Sequence, residues 1–162
     1  MSRVTFDRRT LLKASGTALA AAVAGCGGGS DEDGSGNTNV PSRIDNHLSG
    51  SPEVGNYDGT WEDRTGQSEV VIKVGGAGNG NNQAFVPAAF KVSVGTTVEW
   101  HWTGEGGFHN VVSAEGSDFD FDSGQATTDR DPFTKRFETT GIGLYYCEPH
   151  RSIGMKGGFQ VV

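Results

Sequence analysis

An all-β sandwich of seven to eight short antiparallel strands, packed as two sheets, is the fold this sequence predicts. Three observations carry it. Apolar residues alternate with polar ones at period two along several short segments. Glycine supplies 26 of the 162 residues and only 34% are hydrophobic, which suits short strands joined by many turns. No segment beyond the N-terminal leader carries a convincing helical apolar period. About 110 residues remain after the N-terminal stretches described next, enough for one sandwich core and not for two domains.

Taking the chain in order, Asp7-Arg8-Arg9-Thr10-Leu11-Leu12-Lys13 resembles a twin-arginine export signal, and the small apolar run Ala14 to Ala24 follows it. That run falls short of the roughly 20 residues a helix needs to cross a bilayer core. Residues 1–25 therefore read as a signal peptide. Val23-Ala24-Gly25-Cys26 resembles the lipobox at which a lipoprotein precursor is cut and its cysteine lipidated, against the plainer alternative of an incidental cysteine near an ordinary cleavage point. Residues 26–50, opening with Gly27-Gly28-Gly29-Ser30-Asp31-Glu32-Asp33, hold too little apolar surface to offset the entropy of ordering and read as a flexible stalk. The domain proper is assigned to 51–162, with ordered structure beginning somewhere between Val40 and Tyr57. His47, in this approach, reads as a solvated polar residue.

Within the domain, Val70, Ile72 and Val74 share one strand face, with Glu69 and Lys73 on the other. Phe90, Val92 and Val94 alternate with Lys91 and Ser93, and Val98, Trp100 and Trp102 with Thr97, Glu99 and His101. The same parity places His101 on the polar face, as a surface imidazole. Further strands are expected at Asn110 to Ser113, Thr134 to Thr139, Leu144 to Cys147 and Gly158 to Val162. Phe119 to Thr128 is open to a brief helical turn, weakened by Gly124. In the last hairpin, Tyr145 and Cys147 point one way, toward the core, and Tyr146 the other.

The chemistry gathers near the C-terminus. Tyr145-Tyr146-Cys147-Glu148-Pro149-His150 is followed by Met155, and Phe108-His109-Asn110 lies upstream. The spacing C-x2-H-x4-M puts a thiolate, an imidazole and a thioether on one short loop, and His109 adds a second imidazole from elsewhere. One thiolate, two imidazoles and a long, weak axial thioether are what a copper ion needs to cycle between Cu(I) and Cu(II) with little rearrangement. Taken singly, the cysteine would be a small buried hydrophobe and the methionine core filler; together they point to copper. Zinc is the rival for thiolate and imidazole, but it has little use for Met155. A disulfide is disfavoured, since the other cysteine, Cys26, sits at the processing site. Pro149 fixes its own φ and lacks an N–H, which stiffens the loop, and Gly154, Gly157 and Gly158 are read as giving that loop its tight backbone.

From about Gly59 to Val162 the chain resembles the copper domain of halocyanins, plastocyanin-like cupredoxins of halophilic archaea. Val94 to Trp100, Trp102 to Val112 and Tyr145 to Gly157 carry the likeness. The resemblance implies a cupredoxin-like Greek-key β-sandwich and a blue, type 1 copper site. It assigns His109, Cys147, His150 and Met155 as the four ligands, with Asn110 helping to hold the ligand loops together. It also implies that His150 reaches the surface inside an apolar rim, and that Tyr146 either marks a second docking patch or merely covers the sheet.

Charge supplies the setting. Without residues 1–25 the formal charge falls from −7 to −10, and the four lysines that remain are Lys73, Lys91, Lys135 and Lys156. So acidic a surface argues against nucleic acid as a partner and fits a high-salt habitat, where self-repulsion is screened. Two function classes compete. A copper enzyme or delivery module needs an open coordination position, extra His-x-His pairs or a methionine-rich exposed site. This chain has four histidines, the two outside the ligand set isolated, and Met155 alone beyond the initiator. The expectation is therefore a monomeric electron carrier without catalytic residues, exported and lipid-anchored at the extracytoplasmic face of the cell membrane. Its partners are expected to be redox proteins, membrane respiratory complexes among them.

Overall fold

The computed structural model describes residues 39–162. The signal peptide, Cys26 and residues 26–38 of the stalk lie outside the described residues. Among the described residues one α-helix, α1 (Ser42–Ser49), precedes nine strands: β1 (Glu62–Asp63), β2 (Glu69–Gly76), β3 (Ala84–Val86), β4 (Ala89–Val92), β5 (Thr97–Trp102), β6 (Val112–Ser113), β7 (Phe133–Arg136), β8 (Gly141–Tyr146) and β9 (Lys156–Val161). They form two sheets, ordered β1-β4-β9-β8-β6 and β3-β2-β5-β7.

The alternation in β2 is as the sequence predicts, with Val70, Ile72 and Val74 buried and Glu69, Val71 and Lys73 exposed. Val98 and Trp100 of β5 face the same core, and His101 lies at the surface beside Glu99, with Nε2 and Oε2 2.7 Å apart. Between the sheets Trp100, Tyr145, Phe85, Phe90, Phe137 and Phe159 are all but fully buried. Burying side chains of this kind contributes about 1.5–3 kcal/mol each, which makes this cluster the main source of stability.

The expectation of antiparallel pairing needs correction. β2 runs parallel to β5, and β4 runs parallel to both β1 and β9. Alternation of faces is the same in either direction, so it could not reveal which distant strand each segment would meet. Strand limits shift too: β4 stops at Val92 and leaves Val94 44% exposed, and Phe119 to Thr128 forms bridges rather than a helical turn, Val112 with Asp122 and His109 with Thr127. Gly158 lies in β9, as the strand expected from Gly158 to Val162 requires, and Gly157, read only as a loop residue, joins it there; Gly157 lies opposite Tyr145 and Gly158 opposite Leu144. Each accommodates a neighbour: a Cβ on Gly157 would collide with the Tyr145 ring, and one on Gly158 with Ile44.

The stalk and His47 assignments are also corrected over residues 39–50. Ile44 and Leu48, one helical turn apart, are fully buried against a second cluster that includes Ala88, Ala89 and Leu144. Asp45 in the first turn suits the positive end of the helix. His47 is half-buried, and its Nε2 donates to the carbonyl of Tyr145 at 3.1 Å. Two apolar residues in a helix this short give no measurable period, and the helix forms because it has a strand surface to pack on.

Candidate metal centre

Each ligand candidate is placed by a different piece of local structure. β8 ends at Tyr146 and delivers Cys147 inward; the chain then turns through Glu148, Pro149 and the 3-10 turn Arg151–Ile153, and Met155 returns it to β9. The loop is closed on itself: Cys147 N–H donates to Met155 O at 3.0 Å, and Met155 N–H to His150 O at 3.1 Å. Gly154 makes the turn back with φ +91, a conformation that L side chains resist. His109 is held by reciprocal backbone hydrogen bonds with Thr127, at 2.9 and 3.0 Å, and its carbonyl accepts Trp102 Nε1–H at 3.0 Å.

The three donors converge. Cys147 Sγ lies 3.6 Å from both His109 Nδ1 and His150 Nδ1, and the two Nδ1 atoms are 3.1 Å apart. A triangle with these edges has a circumradius of about 2.0 Å, which is the length of a metal–imidazole bond at roughly 2.0–2.1 Å. His109 is turned for ligation, because Nε2–H donates to Glu105 O at 2.9 Å and leaves the Nδ1 lone pair facing the thiol. Cys147, His109 and Met155 are buried, and His150 is partly exposed. Burial lowers the pKa of both imidazoles, so that each is held neutral, as a ligand must be. Burial pushes the Cys147 thiol up, so its thiolate needs the compensating charge of a cation. The donor set fits copper: three strong donors in one plane and a buried thioether nearby.

Asn110 is fully buried and joins the two ligand-bearing segments. Its Oδ1 accepts Glu148 N–H at 2.9 Å, and its Nδ2 donates to Glu148 Oε2 at 2.6 Å and to Gly124 O at 3.2 Å. Since Asn110 follows one ligand and Glu148 another, this contact sets their separation. Pro149 is exposed on the loop between Cys147 and His150. The sequence reading did not single out Glu105, whose carbonyl orients His109, because a backbone acceptor leaves no mark in residue type.

Residues 71–162 match the family of copper-binding proteins of the plastocyanin/azurin type. The chain belongs to that family. It is 53% identical over 105 residues to halocyanin of Natronomonas pharaonis, covering 65% of this chain and 63% of that protein, so the match spans less than two thirds of that relative's length. It is also 30% identical over 101 residues to plastocyanin of Scenedesmus fuscus, over 57% of this chain and 99% of that one. Among solved structures, oxidised plastocyanin from Dryopteris crassirhizoma is 28% identical with a TM-score of 0.44, covering 57% of this chain and all of that one. This cupredoxin domain is halocyanin-like, and copper is its metal.

Proposed function

We propose that this chain is a blue copper electron carrier rather than an enzyme, tethered through Cys26 to the extracytoplasmic face of the cell membrane and exchanging single electrons with membrane respiratory proteins. The observation that carries the electron-transfer reading is the donor triangle of His109, Cys147 and His150, with buried Met155 on the same loop as two of them. Bound copper supplies a one-electron couple. The protein's part is to hold four donors in a geometry that neither oxidation state has to disturb, so no proton moves and no bond forms or breaks. The hydrogen bonds accepted by Asn110 Oδ1 and Glu105 O are suited to that task.

The surface around His150 supports docking there. Its ring borders Gly107, whose neighbour Phe108 is 62% exposed, and its carbonyl accepts the N–H of Ile153, which is 42% exposed. Exposed apolar side chains beside a half-exposed ligand give a partner a short electron path. They also make a contact that high salt does not weaken. The tether reading rests on the Val23-Ala24-Gly25-Cys26 motif and the twin-arginine leader.

The experiment is an absorption spectrum of copper-loaded protein. Oxidised protein is expected to show an intense band near the red end of the visible range, arising from charge transfer out of Cys147. Cys147→Ser is expected to abolish it while circular dichroism still reports a folded β-sandwich. Preferential zinc uptake with no such band at any copper stoichiometry would overturn the reading.

A further inference from the structure

The N-terminal arm, residues 42–57, lies outside the segment that matches the family, yet it touches the copper loop on both sides of the axial residue. On the C-terminal side of Met155 is Lys156, a lysine only 8% exposed. Its Nζ donates to two carbonyls at the end of α1, His47 O at 2.6 Å and Gly50 O at 2.9 Å. Burying an ammonium is costly unless it is hydrogen-bonded, so the arrangement has to be matched closely to be stable. On the N-terminal side is Gly154, whose carbonyl accepts Asn79 Nδ2–H at 3.1 Å. Asn79 in turn reaches the arm, its Oδ1 accepting Gly55 N–H at 2.7 Å. The carbonyl of Glu53 lies so close to Gly154 that a Cβ there would overlap it. A further tie, from His47 Nε2 to Tyr145 O, fixes the strand two residues before Cys147.

We propose that the arm is a clamp for the axial ligand, with Lys156 and Asn79 as positioning residues that set how closely Met155 approaches copper. The proposal rests on the blue copper reading and adds to it an element outside the ligand loop. An axial thioether is a weak donor whose contribution depends on its distance, and its own bond to the metal is too weak to fix that distance. The surrounding backbone must do so. Here the residues on either side of Met155 are tied to α1 and to the segment after it, and α1 is in turn held by the buried Ile44 and Leu48.

The test uses Lys156→Met and Asn79→Gly in the full chain. Glycine suits position 79, where the backbone has φ +51, so that variant removes the side-chain bonds without strain. Loosening Met155 weakens axial donation to Cu(II), so the reduction potential is expected to rise in both variants, toward the value of Met155→Leu. Loss of the Lys156 charge alone would act in the opposite direction, by favouring Cu(II), so a rise identifies the clamp. In metal-free protein, amide exchange at Met155 is expected to quicken about tenfold or more in both variants. Unchanged potentials and spectra, with only a lower Tm, would overturn the clamp and leave the arm a purely stabilising element. Should Lys156→Met not fold, Asn79→Gly decides by the same readouts. Absence of a blue band in the unaltered protein would instead remove the copper reading itself.

Discussion

Met155 shows how a single side chain tunes the centre. A thioether donates little to Cu(II); an amide oxygen donates more, and an alkyl group nothing. Met155→Gln is therefore expected to lower the reduction potential and Met155→Leu to raise it, both keeping the blue colour that Cys147 produces. Cyclic voltammetry on the pair reads the sign directly, and two unmoved potentials would make Met155 a packing residue. His47 gives a second residue-level expectation. Burial holds its pKa below the ordinary 6.5, so the folded state favours the neutral ring that donates to Tyr145 O. The unfolded chain takes up a proton at about pH 6.5 and the folded one only at lower pH. Stability from this group is thus complete above that pH and is lost as the pH falls through 6.5 toward the folded value. Comparing Tm at pH 7.5 and 5.5, His47→Gln is expected to lose less on acidification than the unaltered protein.

At the scale of elements, the centre depends on loops that are far apart in sequence and held together by few contacts. Asn110 is the chief of them, accepting from Glu148 N–H and donating to its carboxylate across a sequence separation of 38. Asn110→Ala would leave buried space and remove those hydrogen bonds at a cost of about 1–3 kcal/mol. Denaturant unfolding is expected to show that loss, and stopped-flow chelation a faster departure of copper, because His109 and Cys147 are no longer held in register. Unchanged copper release would confine Asn110 to a structural role.

For the whole molecule, the boundary of the folded unit matters most. A truncation beginning at residue 51 removes α1, and with it Ile44 and Leu48 from the second apolar cluster. Losing even one fully buried aliphatic side chain typically costs 2–5 kcal/mol, so this truncation is expected to be less stable than one beginning at residue 39 by about 3 kcal/mol or more. Urea titration of the two forms measures the difference; equal midpoints would make α1 a passive appendage. The acidic surface enters at the same scale. It acts over distances that salt screens, whereas the apolar rim at Phe108 and Ile153 acts on contact.

The sequence by itself determined the chemistry and the kind of fold. Thiolate, imidazole and thioether are written as residue types, and three of the four donors lie within one short stretch, so C-x2-H-x4-M is legible without coordinates. Strand parity likewise fixed the faces of β2 and β5 and the inward direction of Tyr145 and Cys147, since successive side chains in a strand must alternate. Only the tertiary structure decided which strands pair and in which direction, because parity is blind to a distant partner. It also decided that His109 Nδ1 meets Cys147 Sγ, that Glu105 O orients the ring, and that residues 42–57 fold back onto the copper loop. Those contacts run through backbone carbonyls and through a helix that packs by only two buried side chains. Their free energy comes from where the chain is brought, not from what any residue there is.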